Sequence, residues 1–219
     1  MATLLSEAEI RVLGTLVEKA VTTPDSYPLT LNALIAACNQ KSNRDPIVNY
    51  DEETVKGALD VLREQGFVRA MTGERAMRYR EYFAEAYGLS PAEVALLDEL
   101  MIRGPQTVGE LRGRIERYGQ SLSLFEVEQL LENLISREDA HLLLRLPRQR
   151  GRKEARYAHL LAGEPILADD DEDAHDESAM PRKPTEKERL LKLEEEVALL
   201  REELDALREQ YLEFVKQFE

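Results

Sequence analysis

Two stretches of this chain begin alike. "LSEAEIRVLGTL" from Leu5 and "LSPAEVALLDEL" from Leu89 share Leu-Ser-x-Ala-Glu and then apolar residues at helical spacing. Each reads as a helix start, with Ser6 or Ser90 as the capping residue and Pro91 at a first helical position, where its missing N–H costs nothing. A second helix follows in each half and then a third, "DEETVKGALDVLREQG" or "LSLFEVEQLLENLISRED". Val55, Leu59 and Leu62 fall on one face of the former, and Val127, Leu130, Leu131 and Leu134 on one face of the latter. The chain is one design used twice.

Each third helix is followed by a hairpin-like stretch. "FVRAM" and "AMRYREYF" flank turn residues Thr72 to Glu74, and "AHLLLRL" and "ARYAHLL" flank "PRQRGRKE". Three helices and a two-stranded wing describe a winged-helix unit, a variant of the helix-turn-helix plan. The predicted fold class is therefore mainly α with small β wings (α+β). Residues 1–85 form the first winged-helix domain and 86–162 the second, followed by an acidic flexible linker over 163–184 and a coiled-coil helix over 185–219.

The tail sets the charge. Residues 1–85 carry 10 basic against 13 acidic side chains, 86–162 carry 11 against 11, and 163–219 carry 8 against 19, so most of the formal net charge of −14 lies beyond the repeated units. "DDDEDAHDESAMPRKP" is acidic, poor in apolar residues and broken by Pro181 and Pro184, the composition of a solvated linker. His175 within it is read as part of that solvated run and not as a metal ligand. Thr185 and Glu188 make a capping box for the last helix. Along that helix Leu190, Leu193, Val197, Leu200, Leu204, Leu207, Tyr211, Phe214 and Phe218 alternate in steps of three and four, an a/d seam. A parallel pair sets Glu196 beside Arg201 of its partner and Glu203 beside Arg208. The expectation is a homodimer through residues 190–218; the competing reading packs the helix back on its own domains.

Other classes are set aside on composition and motif. No run of about 18 apolar residues exists, and "MATLLSEAEI" lacks a basic start and apolar middle, so neither a membrane span nor a secretory leader is expected and the chain reads as cytoplasmic. The lone cysteine, Cys38, lies in an apolar helical run and is assigned no chemistry. His141, His159 and His175 are scattered, and no phosphate-binding glycine loop or H-E-x-x-H motif is present. The chain is therefore read as no enzyme, with no cofactor and no metal.

Two segments carry the candidate contacts. In the first half Thr30 caps the second helix, Leu31, Leu34, Ile35 and Cys38 supply its inner face, and Asn39 ends it. "QKSNRDPIVNY" then runs to the third helix at Asp51, longer than a helix-turn-helix turn. Pro46, Ile47 and Val48 are expected to tie this loop to the domain, while Gln40, Lys41, Ser42, Asn43 and Arg44 offer donors to phosphate or to a partner's carboxylates. The alternative is a loop bonded internally that merely holds its shape. In the second half Arg145, Arg148, Arg150, Arg152 and Lys153 crowd a glycine-containing wing tip, suited to a minor groove or a phosphate. The third helices oppose this. Asp51, Glu52, Glu53 and Asp60, and Glu126, Glu128 and Glu132, would face phosphates with like charge.

The segment from Leu5 to Leu62, above all "TTPDSYPLTLNALIAACNQKSNRDP" from Thr22 to Pro46, resembles the YceH-like family of bacterial proteins, an uncharacterised family built on a domain of unknown function. The resemblance implies a tandem winged-helix fold and extends more loosely to about Leu161; the acidic linker and heptads look like a variable extension. It implies no activity. Two functional readings stay open: a dimeric, regulator-like protein that contacts double-stranded DNA through its basic wing and polar loop, and a scaffold that binds a protein partner through its winged helices and coiled coil.

Overall fold

The computed structural model describes residues 4–72, 76–137, 140–148 and 154–165. The protein is mainly α with small antiparallel sheets. The first half runs α1 (Glu7–Thr22), β1 (Leu29–Thr30), α2 (Leu31–Cys38), α3 (Glu52–Glu64), β2 (Val68–Thr72), β3 (Met77–Glu81) and a short α4 (Phe83–Tyr87). The second runs α5 (Pro91–Arg103), α6 (Val108–Ile115), α7 (Leu124–Ile135), β4 (Leu143–Arg145) and β5 (Tyr157–His159). No helix among the described residues is long and apolar enough to cross a membrane.

The helices start where side-chain oxygens can hold the first free N–H groups. Ser6 with Glu9 and Ser90 with Glu93 form reciprocal capping boxes, as do Thr107 with Glu110 and Ser123 with Glu126. Thr30 and Asp51 cap α2 and α3 by accepting from Ala33 N and Thr54 N.

The repeat extends to the sheets. In the first half β1 pairs with β3, and β3 with β2, so that β3 is central. In the second half β4 pairs with β5, and a single residue, Gln106, does the work of β1: its N–H donates to Tyr157 O at 3.0 Å and Tyr157 N returns a bond of 2.8 Å. Both edge segments end directly in a helix cap, Thr30 or Thr107. The sequence reading missed β1 and α4. The latter is held by Phe83 and Tyr87, whose rings pack on each other at 5.1 Å and on Phe67 at 5.8 Å each.

The buried side chains of both halves join in one cluster, in which Leu13 and Leu16 of α1 and Leu96, Leu97 and Leu100 of α5 are fully enclosed. Gly14 lets the two helices approach: a Cβ there would lie 2.8 Å from Ile102 Cγ2 and 3.2 Å from Met101 Cβ. At the edge of this contact Leu5 N donates to Leu161 O at 2.8 Å, fastening the start of α1 to the chain just beyond β5.

Candidate functional site

The loop from Gln40 to Tyr50 is fixed at several points. Asn39 Nδ2 donates to Tyr50 O and Tyr50 N to Asn39 Oδ1, both at 2.8 Å, which closes the loop at its neck. Asp45 N donates to Ile102 O of α5 at 3.0 Å, and Arg11 Nη2 to Pro46 O at 2.7 Å. Lys41, Ser42 and Asn43 are exposed, with Asn43 in the left-handed region at φ 58° and its side chain bonded to Arg103. Two expectations need correction. Ile47 does not tie the loop down, being 61% exposed; the Pro46 carbonyl and the Asp45 N–H anchor it instead. Arg44 is not an exposed donor, because its side chain is wholly enclosed and turned onto Glu18 of α1.

That pair belongs to a buried ionic seam between the halves. Arg44 grips Glu18 with both terminal nitrogens, at 3.1 and 2.5 Å, and also donates to Ala37 O at 3.1 Å. Arg117, just after α6, reaches Glu18 at 2.8 Å and Glu99 of α5 at 2.8 Å, and Arg103 lies 3.0 Å from the other Glu99 oxygen. Beside them Tyr118 donates its hydroxyl to Asp98 Oδ2 at 2.5 Å. Burial works to raise the Glu18 pKa, yet the Arg44 fork and the neighbouring positive charges hold it below the usual carboxylate range. Asp98 goes the other way. Its burial, with the charges of Glu18 and Glu99 behind it, raises its pKa well above 3.8 against the Tyr118 hydrogen bond. The seam consumes its charges internally, which is structural work. Cys38 fits the same picture, its buried thiol pushed up to about 11 by desolvation. Among the described residues no group of three His, Cys, Asp or Glu side chains is placed to hold a metal ion.

The outward faces differ from one another. On α3 the exposed charges pair along the helix, Lys56 with Glu52 at 2.5 Å and Arg63 with Asp60 at 3.1 Å, leaving Asp51, Glu53 and Glu64 in excess. On α7 the first turn exposes Leu124 (47%) and Phe125 (67%), followed by Glu126, Glu128 and Glu132. Beside that turn lies an open groove of about 240 Å³, floored by Val108 and Tyr157 and rimmed by Arg145 and Arg148. Both arginines are exposed; Arg145 lies 3.8 Å from Glu132 and over the Tyr157 ring at 5.9 Å. Arg150, Arg152 and Lys153 lie outside the described residues, as do the seven seam residues Leu193, Val197, Leu200, Leu204, Leu207, Tyr211 and Phe214. Lys41 to Asn43 sit on the first-half loop and Arg145 and Arg148 at the second hairpin, and among the described residues no hydrogen bond or ion pair joins the two groups.

A third surface escaped the sequence reading. The β2–β3 register pairs Arg69 with Arg80 and Met71 with Arg78, so these four side chains share one face of the hairpin, and all four are exposed. Tyr82, on the same face, lies under the guanidinium of Arg69 at 4.1 Å and of Arg80 at 5.1 Å. The signal was present as period-two arginine in "MRYRE".

The sequence as a whole resembles known proteins. The chain matches, over residues 5–152, the family described as "Protein of unknown function, DUF480". It is 54% identical over 198 residues to a UPF0502 protein of Geobacter metallireducens, covering 90% of each chain. To a UPF0502 protein of Geobacter sulfurreducens it is 50% identical over 220 residues, covering 100% of both. The latter alignment spans the full length of both chains. By the length of the match and the level of identity, the chain belongs to the DUF480 family, whose curated relatives carry the name UPF0502.

Proposed function

We propose that the chain is a non-enzymatic interaction module: two winged-helix units locked by the ionic seam, dimerised in the cytoplasm by the C-terminal heptads, and docking a partner protein on the exposed face of α7. The observation that carries this reading is Phe125, 67% exposed beside the half-exposed Leu124 on the helix that would enter a major groove in a DNA-reading winged helix. A large aromatic held in water next to a groove is the form of a protein-binding anchor. The acidic run that follows, Glu126, Glu128 and Glu132, opposes entry into a polyanion's groove. The regulator-like reading also loses one of its supports, since Arg44 is committed to Glu18.

The test is a photocrosslinking residue placed at Gln129, one turn after Phe125 on α7 and exposed. In cells it should yield a discrete protein adduct that disappears when Phe125→Asp is added to a chain that still folds. A nucleic-acid adduct at that position, or a protein adduct indifferent to Phe125→Asp, would overturn the α7 assignment.

A further inference from the structure

We propose that the exposed face of the β2–β3 hairpin is a second binding surface, which takes the phosphodiester backbone of duplex DNA through Arg69, Arg78 and Arg80. This surface is separate from α7 and does not depend on the protein-docking reading.

The first support is a like-charge pair. Arg69 and Arg80 are direct cross-strand partners. Directly opposed like charges destabilise a hairpin, and an opposite charge placed between them relieves the repulsion. Here the strands offer none: the one acidic residue of the two strands, Glu81, pairs with buried Val68 on the other face and spends a carboxylate oxygen on Phe83 N at 2.8 Å. Among the described residues the carboxylate that meets this pair is Glu85 of α4, 3.3 Å from Arg80 with both side chains exposed, a contact weak enough for a phosphate to replace. Arg69 has no carboxylate partner among the described residues.

The second support is orientation. A guanidinium over an aromatic ring has its plane supported while its N–H edge stays free, and planar N–H pairs match phosphate oxygens. Tyr82 supports two at once. Arg78, two residues from Arg80 on the same strand, is steadied by donating to Pro28 O at 2.6 Å. Three positive groups thus stand on one face, with Met71 beside them, 49% exposed.

The same arrangement selects the occupant. Proteins that hold single strands offer bare aromatic rings for base stacking. The Tyr82 ring is engaged by the two arginines, so the face presents charge and no stacking platform. That suits the regularly charged backbone of a duplex, contacted without reading sequence. It also escapes the acidic residues of α3, because the contact requires no helix in the groove.

The experiment measures fluorescence anisotropy of a short labelled duplex of arbitrary sequence, with the full chain, across a potassium chloride series. The wild type should bind at low salt and weaken as salt rises. Arg69→Gln with Arg80→Gln should reduce the slope of log affinity against log salt by about 1.8, since each lost phosphate contact on duplex DNA removes about 0.9. Arg69→Lys with Arg80→Lys, which keeps the charge, should retain most of the slope. An unchanged slope in the Gln pair, no salt-sensitive binding by the wild type, or equal binding of a single-stranded oligonucleotide or a poly-glutamate peptide would each overturn the assignment.

Discussion

Gly14 of α1 meets Asp98 of α5 across the helix crossing: a Cβ on Gly14 would stand 3.1 Å from Asp98 Oδ1. Both hold the ninth place after the leucine that opens their repeat, Leu5 or Leu89. Equivalent positions of the two halves therefore face each other at this crossing. An acid at both places would bury two carboxylates against each other, and a bulky residue at both would part the helices. One small residue opposite one acid removes both conflicts. The first half yields space there, and the second places a proton-holding group in it.

Filling that space should loosen the junction. Gly14→Val adds branched bulk where even a Cβ would lie 2.8 Å from Ile102 Cγ2. Overpacking of this kind costs about 1–3 kcal/mol, and the gain in helix propensity over glycine offsets only part of it. A lower denaturation midpoint with the folded helix content retained is the expected result; an unchanged midpoint would mean that the crossing is plastic.

The loop should split into a structural residue and a tolerant one. Arg44→Ala strands Glu18, 3% exposed in its side chain, with Arg117 as its remaining close arginine. Removing one partner of a buried pair costs about 3 kcal/mol or more. For a chain of this size that corresponds to a fall in Tm of roughly 6–12 °C. Lys41→Ala, at an exposed position, should stay within about 0.5 kcal/mol of the wild type. Thermal melts of the two single variants separate these outcomes, and equal losses would remove the distinction.

The contrast shows what the sequence could reveal. Caps at Ser6, Thr30 and Ser90 were legible because a cap is decided within three or four residues. The hairpins were legible for the same local reason. Arg44 was not: its partner Glu18 lies 26 residues earlier on α1, the second arginine on that carboxylate, Arg117, comes from the other half of the chain, and a charged residue between Asn43 and Asp45 carries no local sign of burial. Gln106 likewise becomes an edge residue only because β5 arrives beside it. The arginine face of β2–β3 differs again. Its period was readable, but which face it shares depends on register, and register appears once the strands are paired.

Asp98 makes the stability of the junction depend on pH in a definable direction. Its folded pKa lies above the unfolded value near 3.8, so the native state holds a proton that the unfolded chain has released. Stability is therefore lost as pH rises from about 4 through the folded pKa. Asp98→Asn keeps an oxygen for the Tyr118 hydroxyl and removes the titration. The Asn chain should gain on the wild type as pH is raised from 4 to 8 in denaturant titrations. Glu18, whose pKa is shifted down, contributes stability that disappears at acid pH, but equally in both chains, so it cancels from the difference. A difference that stays flat with pH would mean that Asp98 is ionised in the fold.

The heptads, which lie outside the described residues, supply the last prediction through the proposed dimer. In a parallel pair Leu200 and Leu207 occupy d positions and meet their counterparts in the other chain. Leu200→Asp with Leu207→Asp would bury facing carboxylates at both layers, at a cost of several kcal/mol per ion. The full-length variant should therefore sediment as a monomer at tens of micromolar, where the wild type is expected to sediment as a dimer. Arg201→Glu with Arg208→Glu disturbs exposed flanking pairs, each worth at most about 1 kcal/mol, and should only weaken the association. Sedimentation equilibrium across a dilution series distinguishes these cases. A wild-type monomer throughout would favour a helix folded back on its own chain, and a dimer surviving both aspartates would place the subunit contact elsewhere.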